Sequence, residues 1–213
     1  MNTEQLIASL SANVPRVPRH ALARRIGFGI VGGTLVAMLA LVATLGVRPD
    51  LQLAMHGFAF WMKWAYTISL GLGAIYAVSR LAQPVPTSLR GLWLLSIPVL
   101  VLAGIGIGEL ASTPSGEWLP LWLSRSWMVC PWLVLALAVP IFIGLLWSFR
   151  MLAPTRLRAA GAVAGLAAGA WAATIYCLHC PEVSAIFVLT WYSLGILLAA
   201  GVGALFGPRF MRW

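Results

Sequence analysis

Six long apolar runs constrain the fold of this chain more than any other feature of its sequence. They cover residues 26–47, 58–79, 91–110, 130–149, 159–177 and 183–206. A transmembrane helix needs roughly 20 predominantly apolar residues, and each run has about that length. The runs are continuously apolar, whereas the strands of a transmembrane barrel alternate apolar and polar residues. The sequence therefore predicts an all-α polytopic membrane protein, a bundle of six transmembrane helices joined by short loops.

The composition excludes an ordinary soluble domain. Hydrophobic residues make up 61% of the chain and charged residues only 9%, too few to cover a water-facing surface. We expect a cytoplasmic N-terminal segment over residues 1–25, a transmembrane domain over 26–206 and a cytoplasmic C-terminal stub over 207–213. These short ends leave no room for a second folded domain.

The arginines predict the orientation of the bundle. Eleven of the 14 basic residues fall in segments that would share one side of the membrane. These eleven are Arg16, Arg19, Arg24, Arg25, Arg80, Arg90, Arg150, Arg156, Arg158, Arg209 and Arg212. Because cytoplasmic loops carry the excess of positive charge, both termini are predicted to be cytoplasmic. The net charge of +9 then reflects topology and attraction to the lipid bilayer, and direct nucleic-acid binding is not expected.

Three cysteines fall on the opposite, outer side, and two of them precede a proline. These pairs are Cys130-Pro131 and Cys180-Pro181, each at the start of an apolar run. Proline suits the first turn of a helix, where its missing N–H costs nothing. We therefore expect each cysteine at or near a helix N-cap, where the helix dipole favours the reactive thiolate.

The residues leave three interpretations of these thiols open. Cys130 and Cys180 can form a reversible disulfide if their Cα atoms lie within about 7 Å. Alternatively, Cys130, Cys177, Cys180 and His179 form a ligand set for a soft metal ion such as zinc, cadmium or copper(I). In the third interpretation each cysteine is a small apolar packing residue.

Other residues in the runs have expected structural roles. Lys63 and Glu109 lie near the outer interface, where we expect them to snorkel or to pair with each other. Glycines at helical spacing are expected to let helix backbones approach closely within the bundle. They are Gly29, Gly33, Gly104, Gly108, Gly161, Gly165 and Gly169.

The N-terminal segment begins with a short amphipathic helix. Leu6, Ile7, Leu10 and Val14 form its apolar stripe, and Pro15 ends it. An isolated helix of this length is marginal in water, so we expect it to fold against a partner protein or the lipid headgroups. A cytoplasmic partner site combined with outer thiols is the layout of a signal receiver.

Several sequence blocks, in order along the chain, resemble the NrsF family of bacterial inner-membrane anti-sigma factors. The blocks are MNTEQLIASLSANVPRVPR at the start, then GVRPDL, FWMKWAYT, SRSWMVCP, LAPTR, LHCPE, TWYSLG and the ending GPRFMRW. The resemblance implies six spans in the bacterial inner membrane and sequestration of an extracytoplasmic-function sigma factor. It also implies a periplasmic sensor pair, Cys130 and Cys180, associated with responses to heavy metals or oxidative stress. Cys177 lies outside that pair.

The resemblance further implies a regulator and not an enzyme. The N-terminal stripe, Leu6, Ile7, Leu10 and Val14, would then contact the sigma factor. The main alternative is a membrane thiol–disulfide oxidoreductase acting through Cys130 and Cys180, although such a relay usually needs two dithiol pairs. A small metal transporter is the third alternative.

Overall fold

The computed structural model describes residues 2–12, 21–81, 93–149 and 156–211. Every regular element within these ranges is helical. The helices are α1 (Thr3–Ala12), α2 (Ala21–Thr44), α3 (Leu51–Ala54), α4 (Phe58–Leu81), α5 (Ser96–Ser112), α6 (Trp118–Leu123), α7 (Cys130–Phe149), α8 (Leu157–Tyr176), α9 (Ala185–Phe187) and α10 (Ser193–Met211). A 3-10 turn, Ser115–Glu117, precedes α6, and a π-helical turn, Val188–Tyr192, joins α9 to α10.

Five helices in the described part of the chain are long and apolar enough to cross a membrane. They are Ala21–Thr44, Trp93–Ser112, Cys130–Phe149, Leu157–Tyr176 and the continuous helix Ala185–Met211. The predicted all-helical fold is confirmed, and the start of α2 lies five residues before the predicted run. The predicted span over residues 58–79 corresponds to α4, which has 24 residues and includes Lys63 and Arg80. It is not among these five, so the count of six spans stays a prediction.

α8 is the central helix of the bundle. Most of its residues are buried, and it packs against α10, α4 and α7, while α2 packs mainly on α7. Alanine and glycine dominate its sequence, which lets the neighbouring backbones approach it closely. α5 differs sharply, because only Leu102 and Gly106 of this helix are buried.

Two of the three predicted glycine patterns make close helix contacts. A Cβ atom on Gly161 would collide with the carbonyl oxygen of Gly203, and one on Gly29 would collide with that of Gly144. The prediction for Gly104 and Gly108 is wrong, because a Cβ atom at either position would meet no atom within 4 Å. The contact on this stretch of α5 is instead made by Gly106, which lies against Ile186.

The helices alternate in direction, so the three cysteines meet at one end of the bundle. α2, α5 and α8 end there, and α4, α7 and α9 begin there. We call this the thiol end. At the opposite end, the hydroxyl of Ser148 on α7 donates a hydrogen bond to the carbonyl oxygen of Arg25 on α2.

Candidate functional site

The candidate site is the thiol end, and its centre is the segment that connects α8 to α9. This α8–α9 segment, residues 177–184, contains Cys177, His179 and Cys180. It receives hydrogen bonds from α4 and from the connection after α2, and its Glu182 side chain bonds to the residues before α7. Four of the blocks that carry the family resemblance, GVRPDL, FWMKWAYT, SRSWMVCP and LHCPE, therefore meet here.

The three thiols lie around two buried tyrosines. Cys130, Cys177 and Cys180 have no exposed surface, and all three are free thiols. The side chain of Tyr176 lies close to both Cys130 and Cys180. Tyr192 lies beside Cys177 and Cys180, with its ring centroid 5.6 Å from that of Tyr176. The fold thus brings Cys130 and Cys180 to the same tyrosine, although 50 residues separate them in sequence.

Only one of the two expected cysteine caps occurs. Cys130 is the first residue of α7, but its backbone N–H already donates to the carbonyl oxygen of Ser126 at 2.8 Å. Cys180 lies five residues before α9, and the N-cap of that helix is Ser184, whose side chain accepts from the N–H of Phe187. The prediction of equivalent cap positions is therefore wrong for Cys180.

The predicted four-ligand metal site is not assembled. Nδ1 of His179 lies 3.0 Å from the carbonyl oxygen of Gly46, and because a carbonyl only accepts, this nitrogen carries the hydrogen. Within the described residues, no group of three or more His, Cys, Asp or Glu side chains is arranged to hold a metal ion. The hydrogen on Nδ1 leaves Nε2 as the nitrogen with a lone pair, so a metal site that includes His179 stays a prediction. Binding of a soft metal by the sulfurs of Cys130 and Cys180 alone stays a prediction.

Lys63 is buried at the thiol end and binds the backbone of the α8–α9 segment. Its side chain is 1% exposed. Nζ donates to the carbonyl oxygen of Cys180 at 3.1 Å and to that of Glu182 at 2.7 Å. Lys63 therefore neither snorkels to the interface nor pairs with Glu109, and this part of the sequence interpretation is wrong.

Glu109 binds the start of the last helix. One of its carboxylate oxygens, Oε2, accepts hydrogen bonds from the Ser184 hydroxyl at 3.0 Å and from the backbone N–H groups of Ala185 at 2.8 Å and Ile186 at 3.2 Å. The first N–H groups of a helix lack intrahelical partners, and the helix dipole favours an anion there. A carboxylate from α5 thus takes the position that the sequence analysis gave to a thiolate.

Arg48 adds a third attachment from the connection after α2. Its backbone N–H donates to the carbonyl oxygen of Leu178 at 3.0 Å, and Nη1 lies 3.4 Å from that of Cys180. The guanidinium also forms a bidentate ion pair with Asp50 at 2.7 and 2.6 Å. This hydrogen-bonded pair lowers the pKa of the Asp50 carboxyl and raises the pKa of Arg48.

Leu6 and Ile7 of the predicted N-terminal stripe lie on α1, 42% and 60% exposed. Thr3–Ala12 is helical as predicted, so the apolar face of α1 is left uncovered at these two residues. Leu10 lies on the same helix, but its side chain and the whole of Val14 are outside the described residues.

The sequence analysis missed Tyr176 and Tyr192. Tyrosine within an apolar run is a usable signal, because a buried hydroxyl normally needs a polar partner nearby. The π-helical turn that includes Tyr192 gave no sequence signal, although such turns are frequent at functional sites. The role of Glu109 as a cap also depends on a contact between residues 76 positions apart.

Comparisons with known proteins identify relatives over the whole chain. A family model described as NrsF, negative regulator of sigma F, matches residues 10–213. The "Probable anti-sigma-F factor NrsF" of Azospira oryzae is 41% identical over 216 residues, covering 100% of both chains. The "Anti-sigma-F factor NrsF" of Caulobacter vibrioides is 37% identical over 215 residues, again covering 100% of both. No solved structure matches the chain.

Proposed function

This chain belongs to the NrsF family of negative regulators of sigma F, and from that premise we propose that it is an anti-sigma factor. It holds an extracytoplasmic-function sigma factor at the bacterial inner membrane and releases it when the bonding of Cys130 and Cys180 changes. The observation that carries the anti-sigma role is full-length similarity to two relatives named anti-sigma-F factors. The sensing role is supported by the shared neighbour of Cys130 and Cys180, Tyr176.

The proposed topology has six spans, with both termini in the cytoplasm and the thiol end in the periplasm. It is supported by the 11 of 14 basic residues on the cytoplasmic side. α4 acts as the sixth span, because the ammonium of Lys63 is buried in the protein and satisfied by two carbonyl oxygens. A charge satisfied in this way is compatible with a membrane helix. Reporter fusions after Trp213 and near Gly116 test this, since they should read cytoplasmic and periplasmic respectively.

In the resting state the apolar face of α1 binds the sigma factor. Leu6 and Ile7 are exposed, and Leu10 and Val14 extend the same stripe. Burying two or three such side chains contributes about 1.5–3 kcal/mol each, enough for capture at a membrane. The basic connections between spans lie on the same side and add to the contact.

The releasing step is a change at the thiols. With a thiol oxidant, Cys130 and Cys180 lose two protons and two electrons and form one disulfide, and the oxidant is reduced. This bond draws the start of α7 and the α8–α9 segment together. A full switch from 1:99 to 99:1 needs about 5.5 kcal/mol, for which a surface ion pair at about 0–1 kcal/mol is too weak. A covalent link at about 2–4 kcal/mol, up to 5, is of the required order.

Co-purification tests the proposal. The tagged chain, extracted in mild detergent, should retain its cognate sigma factor, and the thiol oxidant diamide should release that factor. A matched Cys130→Ser variant should retain the sigma factor in the presence of diamide. If the wild type retains no sigma factor and instead exchanges disulfides with periplasmic proteins, the chain is an oxidoreductase and the proposal fails.

A further inference from the structure

Two neighbouring helices, α4 and α5, hold the α8–α9 segment and the start of α9 through one charged residue each. Lys63 on α4 donates to the carbonyl oxygens of Cys180 and Glu182. Glu109 on α5 accepts from the backbone N–H of Ala185. The Lys63 ammonium therefore donates to carbonyl oxygens, and the Glu109 carboxylate accepts from N–H groups. Both contacts are made to main-chain atoms, so they follow the position of the segment itself.

Within the described residues, the Lys63 ammonium has no hydrogen-bond partner besides these two carbonyl oxygens. An ammonium group has three donors and no acceptor, and at 1% exposure this one has no access to bulk water. The described residues contain no carboxylate in an ion pair with it. A buried charge that loses its hydrogen-bond partners is strongly disfavoured. Any displacement of the Cys180 main chain therefore displaces Lys63 and the start of α4.

α5 is otherwise weakly attached to the bundle. Only Leu102 and Gly106 are buried on this helix. An open groove of about 500 Å³ lies between α4 and α5. It is lined by apolar side chains and by Tyr66 and Ser69, with Met62, Ile97, Val101 and Ile105 among the apolar ones. Glu109 is thus a polar anchor at the end of a helix with few buried residues.

We propose that Lys63 and Glu109 are positioning residues that couple the bonding state of Cys180 to the opposite ends of α4 and α5. The inference rests on the proposed function. When a disulfide moves the α8–α9 segment, Lys63 pulls α4 and Glu109 pulls α5. Because both helices are long and α5 is loosely packed, the movement reaches the far ends of α4 at Leu81 and of α5 at Ser96. There it weakens the hold on the sigma factor.

The test measures formation of the disulfide separately from release of the sigma factor. The full-length protein is purified in lipid nanodiscs with its sigma factor and titrated with diamide. One readout is the Cys130–Cys180 disulfide, measured by mass spectrometry of peptides, and the other is the sigma factor released. We expect Lys63→Met and Glu109→Leu to capture the sigma factor and to form the disulfide as the wild type does. Both should need at least tenfold more diamide for half-release.

Matched controls carry similar charges in the same region. Arg125→Gln removes an exposed cation just before α7 whose contact with Glu182 uses only its backbone N–H. Glu117→Gln neutralises an exposed acid near Glu109 in the sequence. Both controls should release at the wild-type diamide concentration, and Lys63→Arg, which keeps a buried cation, should restore release at least in part. A purely structural role of Lys63 would change capture and would not separate the two readouts.

The outcomes distinguish this inference from the function on which it rests. If Cys130→Ser releases the sigma factor as the wild type does, the proposed sensing function fails. If Cys130→Ser is unresponsive but Lys63→Met and Glu109→Leu release normally, only the coupling role is overturned. If Lys63→Met loses capture before oxidation, the test uses Glu109→Leu, which removes the acceptor of the Ala185 N–H and leaves Lys63 unchanged. Release by that variant at the wild-type concentration would overturn the inference.

Discussion

The carboxylate of Glu182 accepts a hydrogen bond from the hydroxyl of Ser126 at 3.0 Å. Glu182 follows the Cys180-Pro181 pair, and Ser126 lies four residues before Cys130. The same carboxylate oxygen also accepts from the backbone N–H of Arg125 at 3.2 Å. Two hydrogen bonds therefore connect the segments that carry the Cys-Pro pairs.

Removing the hydrogen bonds of Glu182 should make the thiols more accessible. In Glu182→Ala we expect a membrane-impermeant maleimide to label Cys130 and Cys180 about fivefold faster. Loss of a hydrogen bond worth about 1 kcal/mol raises the open population by that factor. Ser126→Ala, which leaves the Arg125 contact intact, should give a smaller increase. Equal rates in all three proteins, measured by mass spectrometry, would show that opening does not limit access.

The two sensor thiols should behave as one unit. Cys130→Ser and Cys180→Ser should each abolish release by diamide, and the double variant should be no worse than either single variant, as expected for two halves of one site. Cys177→Ser should have a weaker effect, because Cys177 lies outside the sensor pair that the family resemblance implies. Release of the sigma factor is the measurement. Additive effects of the two substitutions would argue against a shared site.

The apolar face of α1 should carry capture of the sigma factor. Replacing Leu6, Ile7 and Leu10 with serine should abolish co-purification, because each buried side chain contributes about 1.5–3 kcal/mol. Gln5→Ser on the same helix is the matched control and should leave capture intact. The amount of protein in the membrane should not change in either variant. Full capture by the triple variant would move the binding surface to the basic connections.

We expect Gly161→Ala to disrupt helix packing and Gly104→Ala to be tolerated. In Gly161→Ala the new Cβ would collide with the carbonyl oxygen of Gly203, so α8 and α10 must separate. Such overpacking typically costs about 1–3 kcal/mol, and we expect a lower thermal unfolding midpoint in detergent. Gly104→Ala adds a methyl group where no atom lies within 4 Å, so its midpoint should match the wild type. A matching midpoint for Gly161→Ala would contradict the close approach.

The contribution of the Arg48–Asp50 pair to stability should change with pH only at acidic pH. Its hydrogen bond lowers the pKa of Asp50 below the ordinary 3.8. The contribution is therefore complete above pH 3.8 and is lost as the pH falls through the lower value in the folded state. Asp50→Asn should unfold at a slightly lower temperature than the wild type at pH 7, and the two should converge in strong acid. A difference that persisted there would assign the effect to something other than ionisation.

Local sequence patterns predicted the helical class, the start of α7 at Cys130 and the helix that contains Leu6 and Ile7. Run length, hydropathy and the position of proline are local properties, and a bilayer leaves a helix as the favoured state of a long apolar run. The match between the predicted run 130–149 and α7 (Cys130–Phe149) has this cause. Two of the three glycine patterns could be read in the same way, since small residues at helical spacing mark close contacts.

The contacts of the charged groups and thiols depend instead on how distant parts of the chain pack together. The sequence placed Lys63 and Glu109 at similar depth and suggested a pair, but each binds main-chain atoms more than 70 residues away. Which backbone groups lack partners depends on where α9 begins, and that start, with Ser184 as its cap, lies past Cys180. Burial of the three cysteines around Tyr176 and Tyr192 depends on how α7, α8 and the π-helical turn pack together. Such contacts between distant residues leave no local pattern in the sequence.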